Sequence, residues 1–397
     1  MDARQIAAMA EATRLTRQGR LAEATALIQR TLAGPAVTRQ APDGPCARET
    51  GTAPERHADP PPALPAREGP QLRQAHSGRT PRPRVCSSRA ASGVLHRGHR
   101  PAAPAAKRPA GRFDAFSYAN AAGTRGYRLY VPAGYTGGPL PLVVMLHGGS
   151  QDAAAFAAAT GMNDLAERRT FLVAYPEQAR SANPGRYWNW FDPGHQRRDA
   201  GEPSLIAGIT SQVTDSYGAA AGRVYVAGFS AGGAMAAVMA AVYPDLYAAA
   251  GVHSGLAYAA ADDLASAFAA MRQGPPNPAR PPVRPLPLIV FHGDRDATVA
   301  HANAAGLIDH VLAAGRPGAA PAAVTTGGRV RGGHAYTRTC YQDPAGATLA
   351  ESWTIHQSGH AWSGGAPHGS YTDPRGPNAS AEFIRFFNEH CAPSLAR

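Results

Sequence analysis

The 397-residue sequence lacks several features that mark specialised classes of protein. It has no run of about 18 apolar residues, so no membrane-spanning helix is expected. Its four cysteines are too few for a disulfide scaffold at this length, and their spacing matches no zinc site; they are Cys46, Cys86, Cys340 and Cys391. The sequence leaves open whether Cys340 and Cys391 pair. The N-terminus, MDARQIAAMAEATRLTRQ, lacks the apolar core of a secretory signal, so export by the ordinary route is not expected.

The segment 36–110 lacks aromatic residues and isoleucine altogether, and it holds 13 prolines. Such a composition cannot offset the entropy of ordering, so residues 35–110 are predicted to form a Pro/Arg-rich disordered linker. It also carries 13 Lys and Arg against 5 Asp and Glu, which is most of the net charge of +11. A basic arm for an acidic polymer or nucleic acid is one interpretation, and a misread frame of a GC-rich gene is another. Because no aromatic residues are interleaved for base stacking, no nucleic-acid partner is expected.

Two further regions flank this segment. Residues 1–34 show two short helical patterns separated by Gly19 and ended by Gly34-Pro35, which predicts a helical hairpin. Residues 111–397 alternate between strand-like and helix-like stretches. The predicted strands are 126–132, 141–148, 171–176, 223–228, 247–254, 287–294 and 351–356. The predicted helices are 153–169, 204–218, 232–244, 302–315 and 380–390.

Several of these strands are continuous Val, Ile and Leu runs, as a sheet covered on both faces requires. The alternation predicts a doubly wound, mostly parallel α/β sheet with its site at the carboxyl ends of the strands. The stretch AGFSAGGAM lies at such an end, between strand RVYVAG and an Ala-rich helix. A strand-to-helix reversal this tight lifts Ser230 clear of the sheet, and Gly228 and Gly232 avoid collisions of a Cβ with the backbone. The alternative is a serine that only caps the helix.

A serine nucleophile needs a base and an acid that orients the base. The acid candidates are Asp294 and Asp296, in the loop after strand PLIVFHGD; Asp296 is favoured because Asp294 is placed to fix the turn. The base candidate is His360 in the Gly-rich SGHAWSGG, directly after the last strand. His310, His334, His356 and His368 are interpreted as packing or surface residues. The alternative for both aspartates is loop capping.

The stretch MLHGGS follows another strand and predicts an oxyanion hole. Gly149 would supply one backbone N–H and Ala231, after the nucleophile, the second. His147 is then interpreted as structural. The alternative is that HGG only makes a tight turn.

These motifs resemble the polyhydroxybutyrate (PHB) depolymerase family of esterases within the α/β-hydrolases. The matching pieces include YRLYVPAGY, LVVMLHGGSQ, YWNWF, GEPSLI, RVYVAGFSAGGAM, HGDRDATV and GHAWSGG. The resemblance implies carboxylic ester hydrolysis without a cofactor or metal, with Ser230, Asp296 and His360 as nucleophile, acid and base. It also implies that Trp188 and Trp190, or Trp362, line the substrate cleft, although core packing is an equally good explanation for each indole.

The chain departs from the family pattern at Gly149 and Arg186, where members often carry Cys, so a local cross-link is lost and a more mobile loop is expected. Many relatives are secreted, which implies an extracellular location, with a cytoplasmic one as the alternative. The predicted partner is an ester, a hydroxyalkanoate oligomer or polymer. Alternatives are a feruloyl or acetylxylan esterase acting on plant cell-wall esters and, in a different class, a degenerate hydrolase domain that only binds.

Overall fold

The computed structural model describes residues 111–275, 284–313 and 321–391. The predicted hairpin of residues 1–34, the predicted linker of residues 35–110, and Cys46 and Cys86 lie outside these ranges. The described residues form a ten-stranded sheet and a separate pair of two-residue strands. The strands are β1 Arg112–Asn120, β2 Gly123–Val131, β3 Leu140–Leu146, β4 Leu172–Pro176, β5 Ala219–Phe229, β6 Ala249–His253, β7 Leu288–Gly293, β8 Ala322–Arg329, β9 Ala335–Gln342, β10 Thr348–Ile355, β11 Trp362–Ser363 and β12 Thr372–Asp373.

The sheet order is β1-β2-β4-β3-β5-β6-β7-β10-β9-β8. Its six central strands, from β4 to β10, pair in parallel, whereas β1, β2, β9 and β8 extend the two sides in antiparallel fashion. β4, β6 and β7 are buried along their whole length because helices cover both of their faces. The predicted doubly wound, mostly parallel sheet is therefore confirmed.

Two apolar clusters lie on opposite faces of this sheet. Consecutive residues of β3 alternate between them, Leu142 and Val144 in one and Val143 and Met145 in the other. The helices that cover the first face are α3 Gly201–Tyr217, α4 Ala231–Val242, α5 Leu264–Gln273 and α6 Ala302–Ala313. The helices on the second face are α1 Ala153–Thr160, α2 Met162–Arg169 and α7 Ala379–Glu389.

The predicted helix 153–169 is in fact two helices, because Gly161 adopts a left-handed conformation (φ +62°) between them. None of the helices in the described ranges has the length and hydrophobicity needed to cross a bilayer. The six parallel strands all end at one edge of the sheet, and the segments after β3, β5, β7 and β10 carry the residues described next.

Candidate active site

Ser230 occupies a strained turn between β5 and α4. Its backbone has φ +55° and ψ −121°, a conformation that residues with a side chain rarely adopt. A Cβ on Gly228 would collide with the backbone of Gly232, and a Cβ on Gly232 would collide with the carbonyls of Leu146 and His147. The turn is therefore possible only with glycine on both sides of the serine, as the sequence predicted. The Ser230 side chain makes no capping bond to the helix that follows.

The Ser230 hydroxyl instead contacts His360. Ser230 Oγ lies 2.9 Å from His360 Nε2, and His360 Nδ1 lies 2.7 Å from Asp296 Oδ2. The three residues come from the ends of β5, β7 and β10, which are separated by up to 130 residues in sequence. The Asp296 side chain is fully buried and that of His360 is 10% exposed. The structure thus brings together the three side chains that the sequence selected.

Asp296 is held by several donors in addition to His360. Its Oδ1 accepts hydrogen bonds from the backbone N–H groups of Thr298 and Val299, at 2.9 and 2.8 Å. The buried His292 Nε2 lies 3.4 Å from Oδ2. Burial by itself would raise the pKa of Asp296, but hydrogen bonding to His292 and His360 outweighs it and holds the pKa far below its usual value. The carboxylate therefore stays ionised and keeps its orientation.

Asp294 occupies a different environment, only two residues away. Its carboxylate accepts from the backbone N–H of Gln357 at 2.6 Å and contacts His356 Nδ1 at 3.0 Å. These bonds fix the loop after β7 to the end of β10, as expected for a turn-fixing residue. Among the other histidines, His334 pairs with Asp373 at 2.7 Å, and His310 is buried in α6.

His253, at the end of β6, connects the nucleophile with the loop that carries His360. Its backbone carbonyl accepts the Ser230 N–H at 2.9 Å, and its ring Nε2 accepts the Ser363 N–H at 2.9 Å. Burial, followed by the nearby histidines His292 and His360, lowers the pKa of His253 well below its usual value. The ring therefore stays neutral and keeps the lone pair that the Ser363 N–H requires.

The HGG loop after β3 lies against the nucleophile turn. Within the described part of the chain, neither the Gly149 N–H nor the Ala231 N–H takes part in a hydrogen bond, whereas the Gly148 N–H donates to Gln151 Oε1 at 3.0 Å. His147 is fully buried, and its Nε2 accepts the Gln178 N–H at 3.0 Å. Burial lowers the pKa of His147, so its neutral ring supports the loop.

The three tryptophans expected to line the cleft are buried instead. Trp188 is 0% exposed, Trp190 5% and Trp362 1%. Trp188 Nε1 donates to the His147 carbonyl at 3.1 Å, and Trp362 stacks on the His253 ring at 5.0 Å. Their burial favours core packing, which the sequence had left as an equally good explanation, over the cleft interpretation.

A buried carboxylate that sequence reasoning did not select organises the segment behind the HGG loop. Glu202, at the start of α3, is 0% exposed. It accepts from the backbone and side-chain N–H groups of Asn189, both at 2.7 Å, and from the side chain of Gln178. Arg125 lies 3.5 Å from it. Gln178 thus links Glu202 to the HGG loop, because its side chain contacts Glu202 and its backbone N–H donates to His147. The only feature of the sequence that could have indicated this role is the position of Glu202 in the family motif GEPSLI.

The two positions that depart from the family's Cys pattern are stabilised differently here. Arg186 Nη1 lies 3.6 Å from both Asp152 and Glu177, and the Ser150 N–H donates to the Gly185 carbonyl at 2.8 Å. These contacts tie the two loops together without a cross-link, and the more mobile loop stays a prediction. Cys340 and Cys391 are both free. Within the described ranges, no group of three or more His, Cys, Asp or Glu side chains is placed to hold a metal ion.

Comparisons with known proteins agree with this architecture. Residues 125–331, more than half of the chain, match the family model described as esterase PHB depolymerase. Poly(3-hydroxyalkanoate) depolymerase C of Paucimonas lemoignei is 34% identical over 247 residues, which are 58% of this chain and 57% of that protein. Feruloyl esterase B of Neurospora crassa is 35% identical over 127 residues, 32% of this chain and 42% of the relative. Acetylxylan esterase A of Talaromyces purpureogenus is 35% identical over 138 residues, 34% of this chain and 35% of the relative.

The chain thus spans little more than half the length of the depolymerase and less than half of the other two relatives. Among solved structures, an acetyl xylan esterase from Aspergillus awamori superposes with a TM-score of 0.51 at 21% identity, covering 67% of this chain and 94% of that one. At that identity the superposition supports the fold alone. The sequence match and the fold together show that the chain belongs to the PHB depolymerase family of esterases, within the α/β-hydrolase fold.

Proposed function

We propose that this protein hydrolyses carboxylic esters through an acyl-enzyme formed on Ser230. The observation that carries the proposal is the continuous path of two hydrogen bonds, 2.9 and 2.7 Å, from Ser230 Oγ through His360 to Asp296. With the Nδ1 proton of His360 directed at the ionised Asp296, Nε2 keeps the lone pair that accepts the serine proton. A degenerate domain that only binds would have no need of an intact path of this kind.

In the first half of the reaction, Ser230 Oγ attacks the ester carbonyl carbon while its proton passes to His360 Nε2. The carbonyl oxygen becomes an oxyanion, and the N–H groups of Gly149 and Ala231 are the donors assigned to it. When the intermediate collapses, the C–O bond to the alcohol breaks and the alcohol oxygen takes the proton from Nε2. The acyl group remains on Ser230.

In the second half, water replaces the alcohol. His360 Nε2 removes one proton from the water as its oxygen attacks the acyl carbon, and the same two N–H groups face the oxyanion. Collapse then breaks the bond to Ser230 Oγ, which takes back the proton. The products are a carboxylic acid and the free serine, so no cofactor enters the atom balance.

For the substrate we propose hydroxyalkanoate esters, as oligomers or polymer. The support is the match to the Paucimonas lemoignei depolymerase, which covers 247 residues, against 127 for the feruloyl esterase and 138 for the acetylxylan esterase. Acetyl or feruloyl esters of plant cell walls are the second candidate. The match to those two relatives, at 35% identity, favours it.

A panel of esters tests both levels of the proposal. Purified protein is assayed on p-nitrophenyl butyrate, 3-hydroxybutyrate oligomers, methyl ferulate and acetylated xylan. The highest kcat/KM is expected on the hydroxybutyrate oligomers, and Ser230→Ala should remove turnover of every ester. A higher kcat/KM on methyl ferulate or acetylated xylan would show that plant cell-wall esters, and not hydroxyalkanoates, are the substrate. Unchanged turnover in Ser230→Ala would overturn the mechanism.

A further inference from the structure

Two exposed tyrosines lie beside the nucleophile. The described residues contain three large hydrophobic side chains that are strongly exposed, namely Tyr187 at 49%, Val324 at 52% and Tyr371 at 51%. Val324 lies on the outermost strand of the sheet, but both tyrosines border the candidate active site. Exposed aromatic rings next to a reactive group are candidates for contact with a ligand.

Tyr187 lies directly over the oxyanion loop. A Cβ on either Gly149 or Gly185 would collide with its ring, so these glycines provide the flat surface on which the ring rests. Its backbone carbonyl accepts a hydrogen bond from the side chain of Gln178 at 2.9 Å. The Tyr187 backbone is therefore anchored, and its ring packs against Gly149, whose N–H is the proposed oxyanion donor.

Tyr371 approaches the site from the loop that follows His360. Its ring lies 6.4 Å from that of Phe229, which itself lies 4.9 Å from the His360 ring. The backbone of Tyr371 has φ +56°, a costly conformation for an aromatic residue. Its carbonyl accepts the Trp362 N–H at 2.7 Å, which helps hold that conformation. The exposed Tyr371 ring is thus carried on a strained backbone that the Trp362 N–H holds in place.

Tyr371 lies close enough to Tyr187 to affect its titration. The packing of one part of the Tyr187 side chain against the oxyanion loop, which shields it from water, raises its pKa, and the proximity of Tyr371 adds to this. Within the described ranges, neither hydroxyl takes part in a hydrogen bond. Each side chain therefore offers an apolar ring and a free O–H donor at the edge of the same site.

We propose that Tyr187 and Tyr371 form a binding site for the repeat units that flank the scissile ester of a hydroxyalkanoate oligomer. This inference rests on the proposed function. Each repeat of such an oligomer carries an ester carbonyl that accepts a hydrogen bond and a small alkyl branch that packs on an aromatic face. Two tyrosines match both features in successive repeats, whereas an acetyl group is a single short ester and a feruloyl group offers one ring with its phenol and methoxy oxygens.

The test compares specificity in the full-length chain. We would measure kcat/KM for the methyl ester of the 3-hydroxybutyrate trimer, for p-nitrophenyl acetate and for methyl ferulate. Tyr187→Phe and Tyr371→Phe keep the rings and remove the donors. Each is expected to lower the ratio of trimer to p-nitrophenyl acetate by about 3- to 10-fold, the usual size of one hydrogen bond. Tyr371→Ala should lower it further, because the ring is lost as well.

Tyr341→Phe is the matched control. Tyr341 pairs with Ala350 near the start of β10, at the opposite edge of the sheet from Ser230, so its loss should leave the ratio unchanged. An unchanged ratio in both active-site Phe variants, with the wild type active on the trimer, would overturn this inference alone. A wild type inactive on the trimer but active on methyl ferulate would overturn the inference and the proposed substrate together. Thermal unfolding of each variant checks that the fold is intact.

Discussion

The central parallel strands and the outer antiparallel strands of the sheet differ in burial and in what they carry. All residues of β4, β6 and β7 are buried, whereas seven of the eight residues of β8 are exposed. All of the proposed reacting groups follow central strands. The comparison suggests that the rigid, doubly covered centre fixes the chemistry, while the outer strands mainly extend the sheet. Five changes test that division, from the largest expected effect to the smallest.

The largest effect is expected from Ser230→Ala or His360→Ala. Either change should lower kcat by about 10⁴- to 10⁶-fold, because the remaining groups only bind and polarise the ester. Ser117→Ala, an exposed serine on the outer strand β1, is the matched control and should retain wild-type activity. The measurement is steady-state hydrolysis of p-nitrophenyl butyrate. Activity lost in Ser117→Ala would contradict the division between centre and edge.

The second change separates two aspartates at the end of one central strand. Asp296→Asn should lower kcat by about 10⁴-fold, because the amide favours the wrong tautomer of His360. Asp294→Asn should lower it by less than about tenfold, since Asp294 contacts His356 and Gln357 rather than His360. The kcat values of the two variants on one ester decide the matter. A larger loss in Asp294→Asn would show that Asp294, and not Asp296, is the acid that orients His360.

The third change asks whether buried support behind the site matters. Glu202→Gln removes the charge that faces Arg125 and directs an amide N–H at donors on Asn189 and Gln178. We expect about 3–5 kcal/mol less free energy of unfolding, the usual effect of breaking a buried ion pair, and a lower kcat in the folded fraction. Glu389→Gln, which removes an exposed carboxylate on α7, should change stability by less than about 1 kcal/mol. Urea unfolding and kcat are the measurements. Equal losses of stability in Glu202→Gln and Glu389→Gln would argue against a supporting role of Glu202 behind the site.

The fourth change compares centre and edge in stability alone. Leu142→Ala, in the fully buried β3 core, should cost about 2–5 kcal/mol of unfolding free energy. Val324→Ala, on the exposed β8, should cost less than about 0.5 kcal/mol. Denaturant midpoints measure both. Similar costs would mean that the edge strand is covered in solution.

The smallest effect concerns pH. Burial would raise the pKa of Asp294, but hydrogen bonds to His356 and the Gln357 N–H lower it below its usual value. A lowered pKa in the folded state adds stability at pH values above about 4, and this stability is lost as pH falls through the folded-state pKa. The difference in unfolding free energy between wild type and Asp294→Asn should therefore shrink below about pH 4. A difference that grows on acidification would reverse the sign of this interaction.

The sequence predicted the central strands well and the outer ones poorly, for a physical reason. Strands covered on both faces are continuous apolar runs, which are easily recognised. β1, β8 and β9 were not predicted, because outer strands that are partly or, like AAVTTGGR, almost wholly exposed lack a continuous apolar run. The helix α5 was also missed; its start depends on a capping box between Asp263 and Ser266.

In the candidate site, too, residues marked by a local motif were predicted, and residues that depend on contacts distant in sequence were not. Ser230, Asp296 and His360 were selected because each lies just after a strand in a recognisable motif. Tyr187 and Tyr371 were missed because exposure depends on contacts that are distant in sequence. The larger indoles were the more obvious candidates, but Trp188 and Trp362 find interior acceptors for their N–H groups and are buried.

His253 has a consequence for how the loop beyond it can vary. Since its carbonyl anchors the serine and its ring anchors Ser363, a single residue of the sheet sets the spacing between the attacking oxygen and the imidazole. The stretch from Gly364 to Tyr371 starts only after this anchor. Its exposed side chains, such as Pro367 and His368, can therefore be exchanged without moving this anchor, whereas Gly364, Gly365 and Gly369 have no room for a Cβ.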